Sequence, residues 1–196
     1  MFADDEITRD AFLGGRLTIA QPIRGYRAAM DPVLLAAAVP ARPGESSLEL
    51  GCGAGVASLC LGHRVSGLHL IGLERQPAYA ALARRNAAEN GQALDVVEGN
   101  LAALPDRLRQ RSFDHVIANP PFLQRGGGTP ADDGGREMAQ REETPLAEWI
   151  AVGLRRLKPG GWLTMIHLAQ RLPDILAAIG SGGGSVSGLP VAPRVG

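Results

Sequence analysis

The tetrapeptide Asn119-Pro120-Pro121-Phe122 holds the residue types with the most specific chemistry in this chain. The Asn119 side-chain oxygen and the Pro120 carbonyl can each accept one N–H of a planar amino group, and proline rigidity fixes both acceptors. Accepting both protons weakens the conjugation of the nitrogen lone pair and aims it at an electrophilic methyl donor. Phe122 can stack on a flat substrate. We therefore predict Asn119, Pro120, Pro121 and Phe122 as the catalytic residues of an amino-group methylation.

A glycine-rich segment, Leu48-Glu49-Leu50-Gly51-Cys52-Gly53-Ala54-Gly55, predicts a turn between a strand and a helix. Such a turn at the carboxyl edge of a parallel sheet is where open α/β sheets bind their ligands. Its spacing differs from the dinucleotide fingerprint G-x-G-x-x-G, which would need glycine where Val56 stands. A tight turn without a ligand is the plain alternative. The cofactor-binding residues predicted here are Glu49, Gly51, Cys52, Gly53 and Gly55.

Two polar residues at the ends of the next predicted strands extend the cofactor site. Glu74 closes the second strand about 20 residues after the glycines, where a carboxylate can accept both ribose hydroxyls of an adenosyl group. This carboxylate would serve NAD equally well, so it indicates an adenosine-containing cofactor without choosing between them. Asn100 follows the third strand, and its carboxamide oxygen can accept a hydrogen bond from an adenine amino group.

Alternating strand and helix patterns must position these residues. Strands are predicted at 46–50, 68–73, 94–97, 113–118 and 162–167, and helices at 55–61, 77–90, 101–109, 145–157 and 172–179. The alternation predicts an α/β fold with a parallel sheet of five strands joined by right-handed crossovers. Before it, apolar runs around Gly14-Gly15 predict a hairpin over 11–19, and Asp31-Pro32 caps and begins a helix through Val39.

The length of 196 residues fits one domain, with the hairpin and first helix in 1–40 and a Rossmann-like core in 41–196. The polar loop 124–143 is expected to act as a substrate lid, because loops of this length are commonly functional or disordered. Residues 180–188 are nearly all glycine and serine and indicate a linker or a long loop. A sixth strand is predicted near Val191, and only a few residues follow it. We therefore expect the sheet to be incomplete at its C-terminal edge.

Composition narrows the function classes. Twenty basic and twenty acidic residues give a formal net charge of zero, so no general attraction to nucleic acid or to membranes follows. Cys52 and Cys60 lie in one predicted strand-to-helix segment, which favours reduced thiols and a cytoplasmic location. Neither a metal site, a signal sequence nor a membrane span is expected.

Taken with the motifs above, the N-terminal residues resemble those of one bacterial family, the tRNA1(Val) (adenine-37-N6)-methyltransferases. The additional motifs are Phe12-Leu13-Gly14-Gly15-Arg16-Leu17, Gln21-Pro22, Gly25-Tyr26-Arg27, and Asp31 with Val33-Leu34-Leu35. The resemblance covers nearly the whole chain. It implies a Rossmann-like class I methyltransferase fold, S-adenosylmethionine as the cofactor, and adenine in RNA, specifically tRNA, as the substrate.

The resemblance also implies roles for individual residues. Gly51, Gly53, Gly55 and Glu74 would bind the cofactor, residues 119–122 would hold the target adenine, and Gln21 and Arg27 would line the pocket. The alternative for the last two is that Gln21 caps a turn and that Arg27 forms a surface ion pair. The chain departs from the family at Asn100, which replaces the usual acid, and in the final antiparallel strand pair, for which we find no counterpart.

Two other functions fit the same motifs. Protein glutamine N5-methylation needs the same pair of acceptors, although enzymes of that kind typically carry tyrosine where this chain has Phe122, and they have an N-terminal helical domain. A non-catalytic domain that binds S-adenosylmethionine is the other alternative, because a fold does not by itself imply activity. Methyl transfer to a glutamine peptide, or cofactor binding without transfer, would identify these alternatives.

Overall fold

The computed structural model describes residues 2–124, 141–142, 144–180 and 185–188. Its strands are β1 (Ile7–Phe12), β2 (Leu17–Pro22), β3 (Ser46–Leu50), β4 (His69–Glu74), β5 (Leu94–Glu98), β6 (Phe113–Ala118), β7 (Leu123–Gln124), β8 (Arg141–Glu142) and β9 (Leu157–Met165). Its helices are α1 (Asp31–Ala38), α2 (Val56–Arg64), α3 (Pro77–Glu89), α4 (Asp106–Arg109), α5 (Leu146–Arg155) and α6 (Leu172–Ile179).

Five of these strands form the predicted parallel sheet, in the order β5-β4-β3-β6-β9. Their short apolar runs are buried on both faces, as expected for a parallel sheet covered by helices. The chain proceeds outward from β3 to β5 and then returns to the other side of β3 to form β6. This reversal of strand order creates the crevice in which an open α/β sheet binds its ligand.

Successive side chains along each strand point to opposite faces of the sheet, and each face packs in its own hydrophobic core. One core joins the hairpin β1–β2 and the helices α1, α2 and α3 to one face of the sheet, and it contains Ile117. The other core lies on the opposite face with α4 and α5, and it contains the neighbouring residues Val116 and Ala118. Glu49 lies between Leu48 and Leu50 of the second core and therefore points to the α2 side.

The predicted hairpin is confirmed and is longer than predicted. β1 and β2 pair antiparallel from Ile7 opposite Pro22 to Phe12 opposite Leu17. The fully buried Asn86 of α3 attaches the hairpin to the core: its amide donates to the Ala20 carbonyl at 3.0 Å and accepts from the Ala20 N–H at 2.8 Å. Because such buried polar groups need partners, Asn86 fixes where the hairpin lies.

Two predicted elements were wrong in extent. The helix predicted over 101–109 is confined to Asp106–Arg109, because Pro105 disfavours helical geometry in the preceding residue and lacks the N–H that would continue the helix. The strand predicted over 162–167 is Leu157–Met165. It begins five residues earlier because Leu157 already pairs with Phe113, and a bulge then absorbs Pro159 and Gly160 before the pairing resumes at Trp162.

The remaining predictions differ from the structure by a few residues at most or fall outside the described residues. Asp31 begins α1 itself, and Met30 occupies the capping position. The predicted loop 124–143 contains part of β7 and all of β8, which pair in parallel, while 125–140 and 143 are outside the described residues, as is the strand predicted near Val191. Within the described part of the chain, no helix is long and apolar enough to span a membrane, and no cluster of three metal-ligating side chains occurs.

Candidate active site

One cleft of about 570 Å³ lies at the carboxyl ends of β3, β4 and β6. Its walls combine the glycine loop, the end of β4, the segment after β6 and the segment between β2 and α1. The predicted site residues that line it are Arg27, Glu49, Gly51, Cys52, Gly53, Glu74, Asn100, Asn119, Pro120, Pro121 and Phe122. The fold thus brings eleven of the thirteen predicted residues to one cavity, and it places Gln21 and Gly55 outside its lining.

The glycine loop is tightly packed. Gly51 has a φ of 66°, and a Cβ there would lie 2.7 Å from the Trp149 ring of α5. Gly55 has a φ of 82° and packs against Leu94 and Ala83, and its N–H donates to the Cys52 carbonyl at 2.8 Å. Gly55 therefore serves the turn and its packing, whereas Gly51 and Gly53 present backbone to the cleft.

Glu74 connects β4 to the glycine loop. Its carboxylate accepts from the Gly53 N–H at 2.9 Å and from the Gln76 N–H at 2.8 Å. The side chain is 6% exposed, and burial raises its pKa, although the surrounding backbone N–H groups oppose the shift. Each carboxylate oxygen can accept further hydrogen bonds, so Glu74 can hold the loop and a pair of ligand hydroxyls together.

Glu49 is the more deeply buried acid of the cleft. Its carboxylate accepts from the backbone N–H of Ser58 at 2.9 Å and from its hydroxyl at 2.5 Å, in the first turn of α2. The pKa of Glu49 is raised to about 7, chiefly by burial and to a smaller extent by the nearby Glu74, while the Ser58 hydrogen bonds oppose the shift. Two buried acids in one wall favour a ligand that carries positive charge.

The free energy of unfolding should fall as the pH rises through the pKa of Glu49. The folded-state pKa, about 7, exceeds the ordinary 4.5, so the folded chain binds the proton more tightly than the unfolded chain does. This contribution to stability is fully present below pH 4.5 and is lost as the pH rises from 4.5 through about 7. Relative to the parent, Glu49→Gln should gain up to about 3 kcal/mol of stability on going from about pH 4.5 to about pH 8. Urea unfolding at several pH values measures this difference, and a difference that does not vary with pH would contradict the prediction.

The predicted pocket residues Gln21 and Arg27 both form hydrogen bonds with the hairpin. Gln21 is 2% exposed, and its side-chain amide donates to Asp10 at 2.7 Å and pairs with both backbone groups of Ala28. Arg27 borders the cleft, but its guanidinium donates to Thr8, Asp10 and the Pro22 carbonyl. These contacts agree with the alternative in which Arg27 makes an ion pair and Gln21 fixes a turn.

Asn100 lines the cleft, and its side-chain oxygen accepts from the Ala102 N–H at 3.0 Å. This bond stabilises the turn that follows β5. The second lone pair of the oxygen remains available to a ligand donor.

The Asn119 segment begins where β6 ends. The Asn119 side-chain amide donates to the Tyr26 hydroxyl at 3.3 Å, and the Phe122 ring makes an edge contact with His167 at 5.3 Å between centroids. Asn119 to Phe122 thus lie beside the glycine loop in the same cleft.

His115 lies in the middle of β6, a position typical of a packing residue. It is 2% exposed and pairs with Glu45 at 2.8 Å.

Sequence reasoning did not assign a role to three residues that shape the cleft. Tyr26 and Trp149 line it, and Asn86 donates to the Ala54 carbonyl of the glycine loop at 2.9 Å while it holds the hairpin. Tyr26 was part of the N-terminal motif Gly25-Tyr26-Arg27, which signalled that this segment matters. Trp149 and Asn86 lie within helices, where their spacing carries no comparable signal.

Comparisons with known proteins agree with this arrangement. A family model described as the methyltransferase small domain matches residues 30–179. A tRNA1(Val) (adenine(37)-N6)-methyltransferase of Porphyromonas gingivalis is 32% identical over 175 residues, which cover 85% of this chain and 68% of that protein. One from Shewanella sp. MR-4 is 30% identical over 79% of this chain and 66% of its own. A release factor glutamine methyltransferase of Geobacter sulfurreducens is 28% identical, over 62% and 44% respectively.

Solved structures share the fold. A protein described as a predicted O-methyltransferase from Agrobacterium tumefaciens superposes with a TM-score of 0.60 at 27% identity, covering 78% of this chain and 68% of that one. A precorrin-6y C5,15-methyltransferase from Geobacter metallireducens gives a TM-score of 0.58 at 17% identity, covering 82% and 74%. The second likeness concerns the fold alone.

Proposed function

This chain belongs to the methyltransferase small domain family and to the family of tRNA1(Val) (adenine(37)-N6)-methyltransferases, and we propose that it methylates the exocyclic amino group of an adenine in tRNA. The observation that carries the proposal is the shared cleft. Asn119 to Phe122, which suit a planar amino group, line the same cavity as Glu49, Gly51 and Glu74, which suit an adenosyl cofactor.

S-adenosylmethionine supplies an electrophilic methyl group on a positively charged sulfur when it is bound. The residues of the cleft fit this cofactor, because Glu49 and Glu74 are buried acids in one wall. Glu74 would accept the ribose hydroxyls while it keeps the Gly53 N–H, and Gly51 and Gly53 would let the ligand approach the backbone. Glu49 would contribute negative charge toward the cationic end of the cofactor.

The chain's own residues would then hold the substrate. Asn119 Oδ1 and the Pro120 carbonyl would each accept one proton of the adenine amino group, and Phe122 would stack on the base. Neither acceptor is basic enough to keep a proton, so the proton lost after methylation passes to solvent. Positioning of this kind contributes on the order of 7–11 kcal/mol to well-oriented reactions.

A base in a single-stranded loop suits a cleft of this size. Extruding a base from a duplex costs on the order of a few kcal/mol, whereas a loop base is already partly unstacked. A tRNA substrate also agrees with the predicted cytoplasmic location, which stays a prediction.

Glutamine methylation of a protein is the second candidate, and the similarity to the Geobacter sulfurreducens enzyme favours it. A planar amide nitrogen would use the same two acceptors at Asn119 and Pro120. The two candidates separate when isotope-labelled S-adenosylmethionine is offered with unmodified tRNA or with a glutamine-containing peptide. Label in tRNA alone supports the proposed function, and label in the peptide alone would replace it with the second.

Arg24 should contribute to tRNA binding. It is exposed on the loop after β2, near Tyr26 of the cleft, and across the described stretches no side chain is paired with it. By contrast, Arg9 is paired with Glu89. Arg24→Ala should raise the KM for tRNA about three- to tenfold and lower the slope of log affinity against log salt by about one.

The matched control is Arg42→Ala, which removes an exposed arginine four residues before β3, at the opposite edge of the sheet. Binding of tRNA at several salt concentrations measures both slopes. Equal slopes for Arg24→Ala and the parent would contradict the role of Arg24.

A further inference from the structure

We propose that Tyr26 is a positioning residue for methyl transfer, whose hydroxyl accepts a hydrogen bond from Asn119 Nδ2 and so keeps Asn119 Oδ1 directed at the amino group of the substrate. This inference rests on the proposed function. It concerns which way round the Asn119 amide is held, which the Asn-Pro-Pro-Phe motif by itself does not determine.

The orientation of the amide decides whether Asn119 attracts or repels the substrate. One end of the carboxamide accepts hydrogen bonds and the other end donates them. A half-turn of the amide would set its NH₂ against the N–H groups of the substrate, donor against donor. The 3.3 Å contact from Nδ2 to the Tyr26 hydroxyl occupies the donor end and leaves Oδ1 for the substrate.

Tyr26 can perform this role because its own place is fixed. Its backbone carbonyl accepts from the Tyr79 hydroxyl at 3.1 Å, and its ring lies 3.9 Å from the position of a Cβ on Gly53. A Cβ on the preceding Gly25 would lie 2.7 Å from the Tyr79 oxygen, so this close approach needs glycine. Tyr26 therefore spans from the glycine loop to Asn119.

The hairpin holds the segment on both sides of Tyr26. Gln21 binds the N–H of Ala28 at 2.7 Å and its carbonyl at 3.2 Å, which closes the loop in which Tyr26 lies. Arg27 ties the same loop to Thr8 and Asp10 of β1. Gln21 and Arg27 thus hold the loop in which Tyr26 lies.

The Tyr26 hydroxyl stays neutral at any pH at which the enzyme works. Burial, and after it the carboxylates of Asp31 and Glu49, raise its pKa to about 12, against the opposing hydrogen bond from Asn119. A neutral hydroxyl is a hydrogen-bonding group and not a base, which agrees with a positioning role.

Tyr26→Phe tests the inference because it removes the hydroxyl and keeps the ring. We expect kcat for tRNA methylation to fall roughly 2- to 12-fold, the range for loss of one neutral hydrogen bond that acts in the transition state. The KM for tRNA, the dissociation constant of S-adenosylmethionine and the Tm should match the parent. A change confined to Tm or to cofactor affinity would overturn the proposal in favour of a structural role.

The same substitution in an Asn119→Ala background provides the matched control. If Tyr26 acts through Asn119, Tyr26→Phe causes no further loss there, whereas an independent role would repeat the full loss. A second measurement does not depend on activity: Tyr26→Phe should shift the Asn119 side-chain NH₂ signal in a ¹⁵N correlation spectrum, and an unchanged signal would contradict the contact.

Failure of this inference is distinguishable from failure of the proposed function. If the parent methylates tRNA and Tyr26→Phe does so equally fast, only the role of Tyr26 is wrong. If the folded, cofactor-bound parent methylates no tRNA, the proposed function itself is wrong, and the spectral shift then reports on the Tyr26 contact alone.

Discussion

Replacing Asn119 with alanine should lower kcat for tRNA methylation by about 10²- to 10³-fold, the effect seen when one preorganised hydrogen-bonding group is removed from an active site. The variant keeps the Pro120 carbonyl but loses the acceptor that directs the lone pair of the substrate nitrogen. Steady-state methyl transfer to unmodified tRNA, over a range of tRNA concentrations, measures the loss in kcat.

Cofactor binding and thermal stability serve as internal controls for Asn119→Ala. Asn119 is half-buried, and among the described residues its side chain makes one long hydrogen bond, to Tyr26, so its loss leaves the glycine loop and both cores intact. S-adenosylmethionine should bind with parental affinity and the Tm should change little. A variant that keeps parental kcat would show that Asn119 does not contact the reacting nitrogen.

Glu74→Ala should weaken the binding of S-adenosylmethionine by about 100-fold or more, because hydrogen bonds to a charged acceptor contribute about 1.5–3 kcal/mol each. The substitution removes the proposed acceptor of the ribose hydroxyls. It also leaves the Gly53 and Gln76 N–H groups without the carboxylate that now binds them. Isothermal titration of the cofactor measures the loss.

Glu98→Ala is the matched control for Glu74. Glu98 ends β5 directly opposite Glu74 in the sheet, but its side chain is exposed, pairs with Arg84 at 2.7 Å and does not line the cleft. This variant should bind the cofactor as the parent does. Equal losses in the two variants would mean that general charge, and not the Glu74 contact, governs affinity.

The elements that carry the site could be predicted closely from sequence. The apolar runs of β3 and β6 were predicted to the residue, since each is short and bounded by polar or turn-forming residues. The alternation of such runs with helices predicted that the sheet is parallel. It therefore also predicted that the glycine loop and Asn119 lie at the same carboxyl edge of the sheet. That residues 1–196 form one domain stays a prediction.

Contacts between distant segments could not be predicted in the same way. Asn119 and Tyr26 are 93 residues apart. Local patterns also do not show that Gln21 and Arg27 form hydrogen bonds with β1, although Arg27 does border the cleft as the family resemblance implied. The predicted extents of α4 and β9 were wrong. Pro105 keeps residues 101–104 out of the helix, so α4 begins only at Asp106, and a bulge accommodates Pro159 and Gly160 within the edge strand β9.

The pKa of Glu49 also depends on tertiary structure. Its sequence position, two residues before the first glycine, indicates a ligand site but says nothing about burial. Packing of α2 over β3 removes the carboxyl from water and supplies Ser58 as its partner, and together these set its pKa near 7.

The most direct test of the proposed function incubates the protein with S-adenosylmethionine and unmodified tRNA, digests the RNA and quantifies methylated nucleosides by mass spectrometry. Asn119→Ala, verified as folded and cofactor-bound, is treated identically. We expect N6-methyladenosine from the parent and a trace at most from the variant. Methylation at another atom, equal yields from both proteins, or no methylated nucleoside from a folded, cofactor-bound parent would contradict adenine N6 methylation by this cleft.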